Sequence, residues 1–142
     1  MKKAKLFIDS DVIISSLIST SGAAYYLLNK TNNVELSVSN YSLTELDIVV
    51  KRLRLNKDAL DKLIKQKFKV LQISLSLEAI KKKYKEFTTD INDLHIVAGA
   101  KQGKVKFLVS YNLRHFYSEK LKSQLDMILI TPAKMMQYLR SL

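Results

Sequence analysis

The 142-residue chain has no cysteine, no tryptophan, one proline and three glycines. Without cysteine there is no disulfide framework, no thiol nucleophile and no zinc-thiolate site, so packing and ordinary hydrogen bonds must hold the fold, as suits a reducing compartment. So little proline and glycine leaves nothing with the composition of a linker, and no repeat or low-complexity tract interrupts the chain. It reads as one domain, residues 1–142. Acids are also scarce: 13 Asp+Glu oppose 24 Lys+Arg, a formal net charge of +11. That excess points to an anionic partner, whether nucleic acid, an acidic protein or an anionic membrane surface, without choosing among them. No apolar run approaches the roughly 20 residues needed to cross a bilayer. The N-terminus turns polar and acidic after Ile8, short of a secretory apolar segment. A soluble, cytoplasmic protein with no membrane partner is the expectation.

What is present is 47% apolar residues, enough for one sizeable core. Runs at 5–8, 36–38, 68–73, 106–109 and 127–130 have strand length and composition. Between them lie segments of helical period. The first spans 12–29 and points Ile14, Leu17, Ile18, Tyr25 and Leu28 at the sheet. The second opens at Ser42-Leu43-Thr44-Glu45, which has the form of a capping box, and runs to about residue 53. Others cover 57–66, 77–85, 93–102 and 132–142, the last with Pro132 in its first turn. Strands alternating with helices predict an α/β protein, a three-layer α/β/α sandwich with a mainly parallel central sheet, since each parallel connection needs a crossover.

Ligands of such sheets collect beyond the carboxyl ends of the strands. Asp9 follows the first strand there, and Ser110-Tyr111-Asn112 follows the fourth. Asp9, Glu45 and Asp93 each stand at an element end, and parallel strands bring such ends to one edge. Three carboxylates together repel unless a cation or shared protons offset the charge. Oxygen ligands alone suit magnesium or manganese. Each acid also has a plain structural role open to it: Asp9 or Asp11 as a helix cap, Glu45 in its capping box, Asp90 or Asp93 as the next cap. Twelve bases between Lys51 and Lys85 face only Asp58, Asp61 and Glu78; a solvated helical face and a binding surface account for them equally well. His95 reads as a packed residue on an apolar helix.

Phe7-Ile8-Asp9-Ser10-Asp11-Val12-Ile13-Ile14, the helix-borne Glu45, Asp90-Ile91-Asn92-Asp93 before Ile96-Val97-Ala98-Gly99-Ala100, and the run from Phe107 through Ser110, Asn112, Arg114 and His115 to Phe116 together resemble PIN-domain nucleases. The likeness is greatest to the VapC-type toxins of toxin-antitoxin pairs, and the ending Ile130-Thr131-Pro132 is similar too. The resemblance implies a metal-dependent endoribonuclease binding Mg2+ or Mn2+ through Asp9, Glu45 and Asp93, with Asp90 as an additional acid. It implies an RNA substrate, an antitoxin partner and, as is common in that group, a homodimer. Ser10, Asp11, Ser110, Asn112 and Arg114 would form a second shell or touch substrate, and Lys51 and Lys101 would contact phosphates. Family members commonly carry Asn in place of Asp11, and often a fourth acid at Asn112 or His115. This chain has none at either. The alternative reading is a non-catalytic PIN-like module that binds RNA or a protein.

Overall fold

Leu6, Phe7 and Ile8 are wholly buried, so the first strand is covered by apolar groups on both faces, as the centre of a parallel sheet requires. In a computed structural model, whose described residues are 3–142, they form β1 (Ala4–Ile8). With β2 (Val34–Ser39), β3 (Phe68–Leu71), β4 (Phe107–Val109) and β5 (Ile128–Ile130) it makes an all-parallel sheet of order β3-β2-β1-β4-β5. Phe7 stands opposite Ser37 of β2 and Leu108 of β4. The chain winds outward from β1 to β3, then returns to the other side of β1. The order therefore reverses between β1 and β4, and that reversal opens a crevice at the carboxyl edge.

The connecting helices are α1 (Ser10–Ile18), α2 (Ala23–Asn29), α3 (Asn40–Arg52), α4 (Lys57–Lys67), α5 (Leu77–Tyr84), α6 (Leu94–Gln102), α7 (Ser118–Leu125) and α8 (Pro132–Arg140). Leu6 and Ile8 pack on one side with Val12, Leu27, Leu46, Leu60 and Met135, from α1, α2, α3, α4 and α8. Phe7 points to the other side, among Ile80, Ile96 and Leu121 of α5, α6 and α7. This is the expected three-layer sandwich. Among the described residues no single helix is long and apolar enough to cross a membrane.

Three local expectations are corrected. The long first helix is two, because Ser19-Thr20-Ser21-Gly22 competes for backbone hydrogen bonds and ends α1. Ile18, expected toward the sheet, is 63% exposed at that break. The capping box at Ser42 does not form: α3 begins one turn earlier, capped by the buried Ser39, whose hydroxyl accepts from Ser42 N at 3.2 Å. Glu45 therefore sits in the second turn, relieved of any capping duty. Finally, 118–125 is a helix that the apolar pattern concealed, since only Leu121 is buried along it.

Helix α6 crosses β1 closely enough that a Cβ on Gly99 would lie 2.6 Å from two ring carbons of Phe7. Gly99→Ala is expected to lower stability by about 1 kcal/mol net, since overpacking costs roughly 1–3 kcal/mol against a helix-propensity gain of about 1 kcal/mol. The urea midpoint measures it; an unchanged or raised midpoint would mean that the ring gives way freely.

Candidate active site

The chain leaves β1 at Ile8 and enters α1 at Ser10, so Asp9 occupies the turn at the crevice. Its backbone N–H donates to Val109 O at 3.0 Å, tying it to the end of β4. Its side chain is only 6% exposed. Oδ1 accepts from Ser10 N at 2.7 Å and Oδ2 from the Ser110 hydroxyl at 2.8 Å. Ser110 Oγ in turn accepts from Asn112 N at 3.0 Å. In the first turn of α1, Asp11 Oδ2 accepts from Tyr111 N at 3.0 Å. Asp9 thus caps α1, yet both of its oxygens stay anchored at the switch point.

The remaining acids arrive on α3 and before α6. Asp90 caps a single 3-10 turn, Ile91–Asp93, accepting from Asn92 N at 2.9 Å. Asp93 stands at the start of α6 without making a side-chain cap. Two histidines meet these acids. His95 Nε2 lies 2.7 Å from Glu45 Oε1, and His115 Nδ1 lies 2.8 Å from Asp93 Oδ2. Asp90, Asp93 and His115 each offer a ligand atom within 4.8 Å of the others.

Charge is poorly compensated here. Burial pushes the Asp9 carboxyl up from 3.8 to about 7; the Asp11 and Asp93 charges add to this, and the hydrogen bonds from Ser110 and Ser10 offset part of it. Burial likewise raises Asp11, against three backbone hydrogen bonds, with Asp93 contributing. Asp93 is raised by burial first and by the Asp90 and Glu45 charges, while its bond to His115 pulls the other way. Among the described residues no lysine or arginine makes an ion pair with any of these acids. Asp11 Oδ1 and Ser10 Oγ are buried without a hydrogen-bond partner. An uncompensated set of hard oxygen donors, one of them orphaned, has the chemistry that accepts a divalent cation.

The structure gathers Asp9, Asp11, Asp93 and Ser110 at the crevice, with Asp90 beside Asp93 and Glu45 close enough to act on the Asp93 charge. Asn112 enters the network through its backbone rather than its amide. Arg114 is exposed beside His115, and its carbonyl accepts from Thr89 Oγ1. Lys51 and Lys101 are placed elsewhere. They lie in the last turns of α3 and α6, helices that start at the acidic edge and run away from it, and Lys101 lines a separate cavity with Lys104 and Met127. Sequence reasoning missed the pairing of both histidines. His95 is packed as expected, 7% exposed, but the polarity of its ring inside an otherwise apolar helix was the available signal. Beside Glu45 and His95 lies a largely apolar cavity of about 300 Å3, lined by Tyr41, Leu77, Ile80, Ile91 and Leu94.

A parallel α/β sheet with an acid cluster at its topological switch point belongs to the doubly wound folds whose ligands collect at that edge. The PIN domain family model matches residues 5–114, so the chain belongs to the PIN-domain family. No curated protein matches it. Among solved structures it is similar to VapBC2 from Rickettsia felis, bound to a DNA fragment from their promoter (TM-score 0.60, 17% identity, covering 89% of this chain and 98% of that one). It is similar to FitAcB from Neisseria gonorrhoeae (0.60, 19%, 90% and 98%). It also resembles VapC20 of Mycobacterium tuberculosis, a toxin that cleaves the sarcin-ricin loop (0.54, 14%, 87% and 98%).

Proposed function

We propose that the protein is a divalent-metal-dependent endoribonuclease and the toxin of a toxin-antitoxin pair. The observation that carries this reading is the buried Asp9 beside Asp11 and Asp93, with no lysine or arginine ion pair to balance them among the described residues, in a chain of net charge +11. Elsewhere basic residues outnumber acids; here the acids share protons or histidine contacts at best, and a divalent cation would offset the remaining charge. Asp9, Glu45 and Asp93, with Asp90 alongside, would hold Mg2+ or Mn2+. When bound, the ion polarises a phosphoryl oxygen and acidifies a water for in-line attack.

The residues around the acids have separate tasks. Ser110 fixes Oδ2 of Asp9 while Ser10 N holds its Oδ1, which keeps the carboxylate in one orientation at the end of β1. Asp11 Oδ1, free of partners, is the acceptor that would take a proton from, or orient, a water. His95 holds Glu45 by its Nε2. Arg114 supplies an exposed guanidinium for a bridging phosphate. The resemblance implies a 3′-hydroxyl and a 5′-phosphate as products. The RNA preference is supported by VapC20, a sarcin-ricin loop cleaving toxin of the same fold.

The bases of α4, β3 and α5 supply long-range attraction for RNA. Of the bases at 51–85 only Lys57 and Lys69 form ion pairs within the described residues, so most of that positive charge is uncommitted. For the antitoxin, the apolar cavity beside Glu45 offers a seat to an amphipathic segment, with Leu77 and Ile91 exposed at 50% and 60%.

Cleavage of RNA in Mg2+ or Mn2+, with and without EDTA, tests the reading. Glu45→Gln is expected to lower the rate by about 100-fold, a share of the several kcal/mol that metal catalysis contributes. Single-stranded DNA is included as an alternative substrate and is expected to remain uncut. Cleavage indifferent to EDTA and to the substitution would reject the metal role. RNA binding without any cleavage would favour the non-catalytic module.

A further inference from the structure

The fourth corner of the site carries no carboxylate, but it is not chemically blank. His115 is held there by backbone before any ion arrives. Its N–H donates to Asn112 O at 3.0 Å, and its carbonyl accepts from Thr89 N at 2.8 Å. Thr88 bridges Phe116 in antiparallel fashion, and Tyr117 N donates to Phe87 O at 2.9 Å. This short ladder stitches 87–89 to 115–117. On the acidic side, Thr88 Oγ1 donates to Asp90 O at 2.7 Å and Asp93 N to the same carbonyl at 3.0 Å. Asp90, Asp93 and His115 are therefore fixed relative to one another by main-chain bonds and the Thr88 hydroxyl, none of which uses their own ligand atoms, apart from the Asp90 cap.

The spacing suits ligation. Adjacent ligands of an octahedral ion with bonds of about 2.1 Å lie about 3.0 Å apart, and His115 Nδ1 and Asp93 Oδ2 are 2.8 Å apart. The His115 side chain is 41% exposed and that of Asp93 20%, so an ion can enter from solvent.

Resting on the metal reading above, the geometry points to His115 as a ligand of that site, which makes it a mixed nitrogen-oxygen centre selecting Mn2+ over Mg2+. An imidazole nitrogen is a softer donor than carboxylate. Mg2+ prefers oxygen and sheds water reluctantly, whereas first-row transition ions accept nitrogen readily. The position that resembles a fourth acid in the family would thus set the choice of metal instead of being lost.

The test is electron spin-echo spectroscopy of Mn2+ bound to the full chain with any affinity tag removed, alongside calorimetric affinities for Mn2+ and Mg2+. Coupling to an imidazole 14N is expected in the parent, retained in His95→Gln and lost in His115→Gln. His115→Asp, which gives an all-oxygen set, is expected to lower the Mn2+-to-Mg2+ affinity ratio by about tenfold, because Mg2+ gains an oxygen donor where Mn2+ loses a nitrogen one. Mn2+ bound without nitrogen coupling, or coupling that survives His115→Gln, overturns this inference and leaves the metal reading standing. Failure to bind Mn2+ at all overturns both.

Discussion

Asp9→Asn is expected to abolish nearly all RNA cleavage and, in the metal-free protein at pH 8, to raise stability. The two effects share one cause. Asp9 is buried at the switch point among like charges, and its carboxyl is held up at about 7, so at pH 8 it is ionised at a cost. The rise from 3.8 corresponds to at most about 4 kcal/mol. Asparagine keeps the shape and the acceptor for Ser10 N but removes the charge. Because Ser110 loses a charged acceptor, a net gain of roughly 1–2 kcal/mol is expected. For activity the sign reverses: a neutral amide is a poor ligand, and losing several kcal/mol of metal-derived stabilisation lowers the rate on the order of 10³-fold. Chemical denaturation and a single-turnover cleavage assay on the same preparations check both arms. A variant that is destabilised and inactive would have lost its fold, and a variant that still cleaves would remove Asp9 from the site.

Much of this arrangement was legible in the sequence because it depends on period and order. Leu6-Phe7-Ile8 is apolar without alternation, which only a strand buried on both faces tolerates, and the acid after it must then lie at the sheet edge. Strand order was not legible. That β4 lies beside β1, and so Ser110 against Asp9, follows from long-range packing that no local pattern encodes. Glu45 shows how a local signal misleads: Ser42-x-x-Glu45 satisfies the capping rule, but Ser39 is wholly buried at the end of β2 and wins the cap, leaving the carboxylate free to meet His95. Lys51 and Lys101 show the converse. Each follows a candidate acid by only six or eight positions, yet a helix carries those positions roughly 9–12 Å along its axis, toward the opposite edge.

Divalent metal is expected to stabilise the protein strongly, and more so as pH rises. Asp9 has a folded pKa raised from 3.8 to about 7. Below about pH 4 it is protonated in both states and contributes nothing. Between about 4 and 7 the unfolded chain releases the proton while the folded one keeps it, so stability falls with rising pH until the full penalty is present above about 7. Asp11 and Asp93 are shifted in the same direction and add to the trend. A bound cation removes this penalty, but below pH 7 it must first displace the proton on Asp9, weakening apparent affinity by about tenfold per pH unit for each proton released. At pH 8 and a metal concentration near 100 times the dissociation constant, mass action gives about 2.7 kcal/mol. For a chain of this length that is a rise in Tm of roughly 8–12 °C. Thermal melts of parent and Asp9→Asn across pH 5.5–8, with Mn2+ or EDTA, measure the whole pattern. In EDTA the parent curve should fall relative to the variant as pH climbs, and Mn2+ should lift the parent most at pH 8 and the variant little. Parallel curves for the two proteins, or a metal effect that grows toward acid, would mean that the buried carboxylate is not where the cation binds.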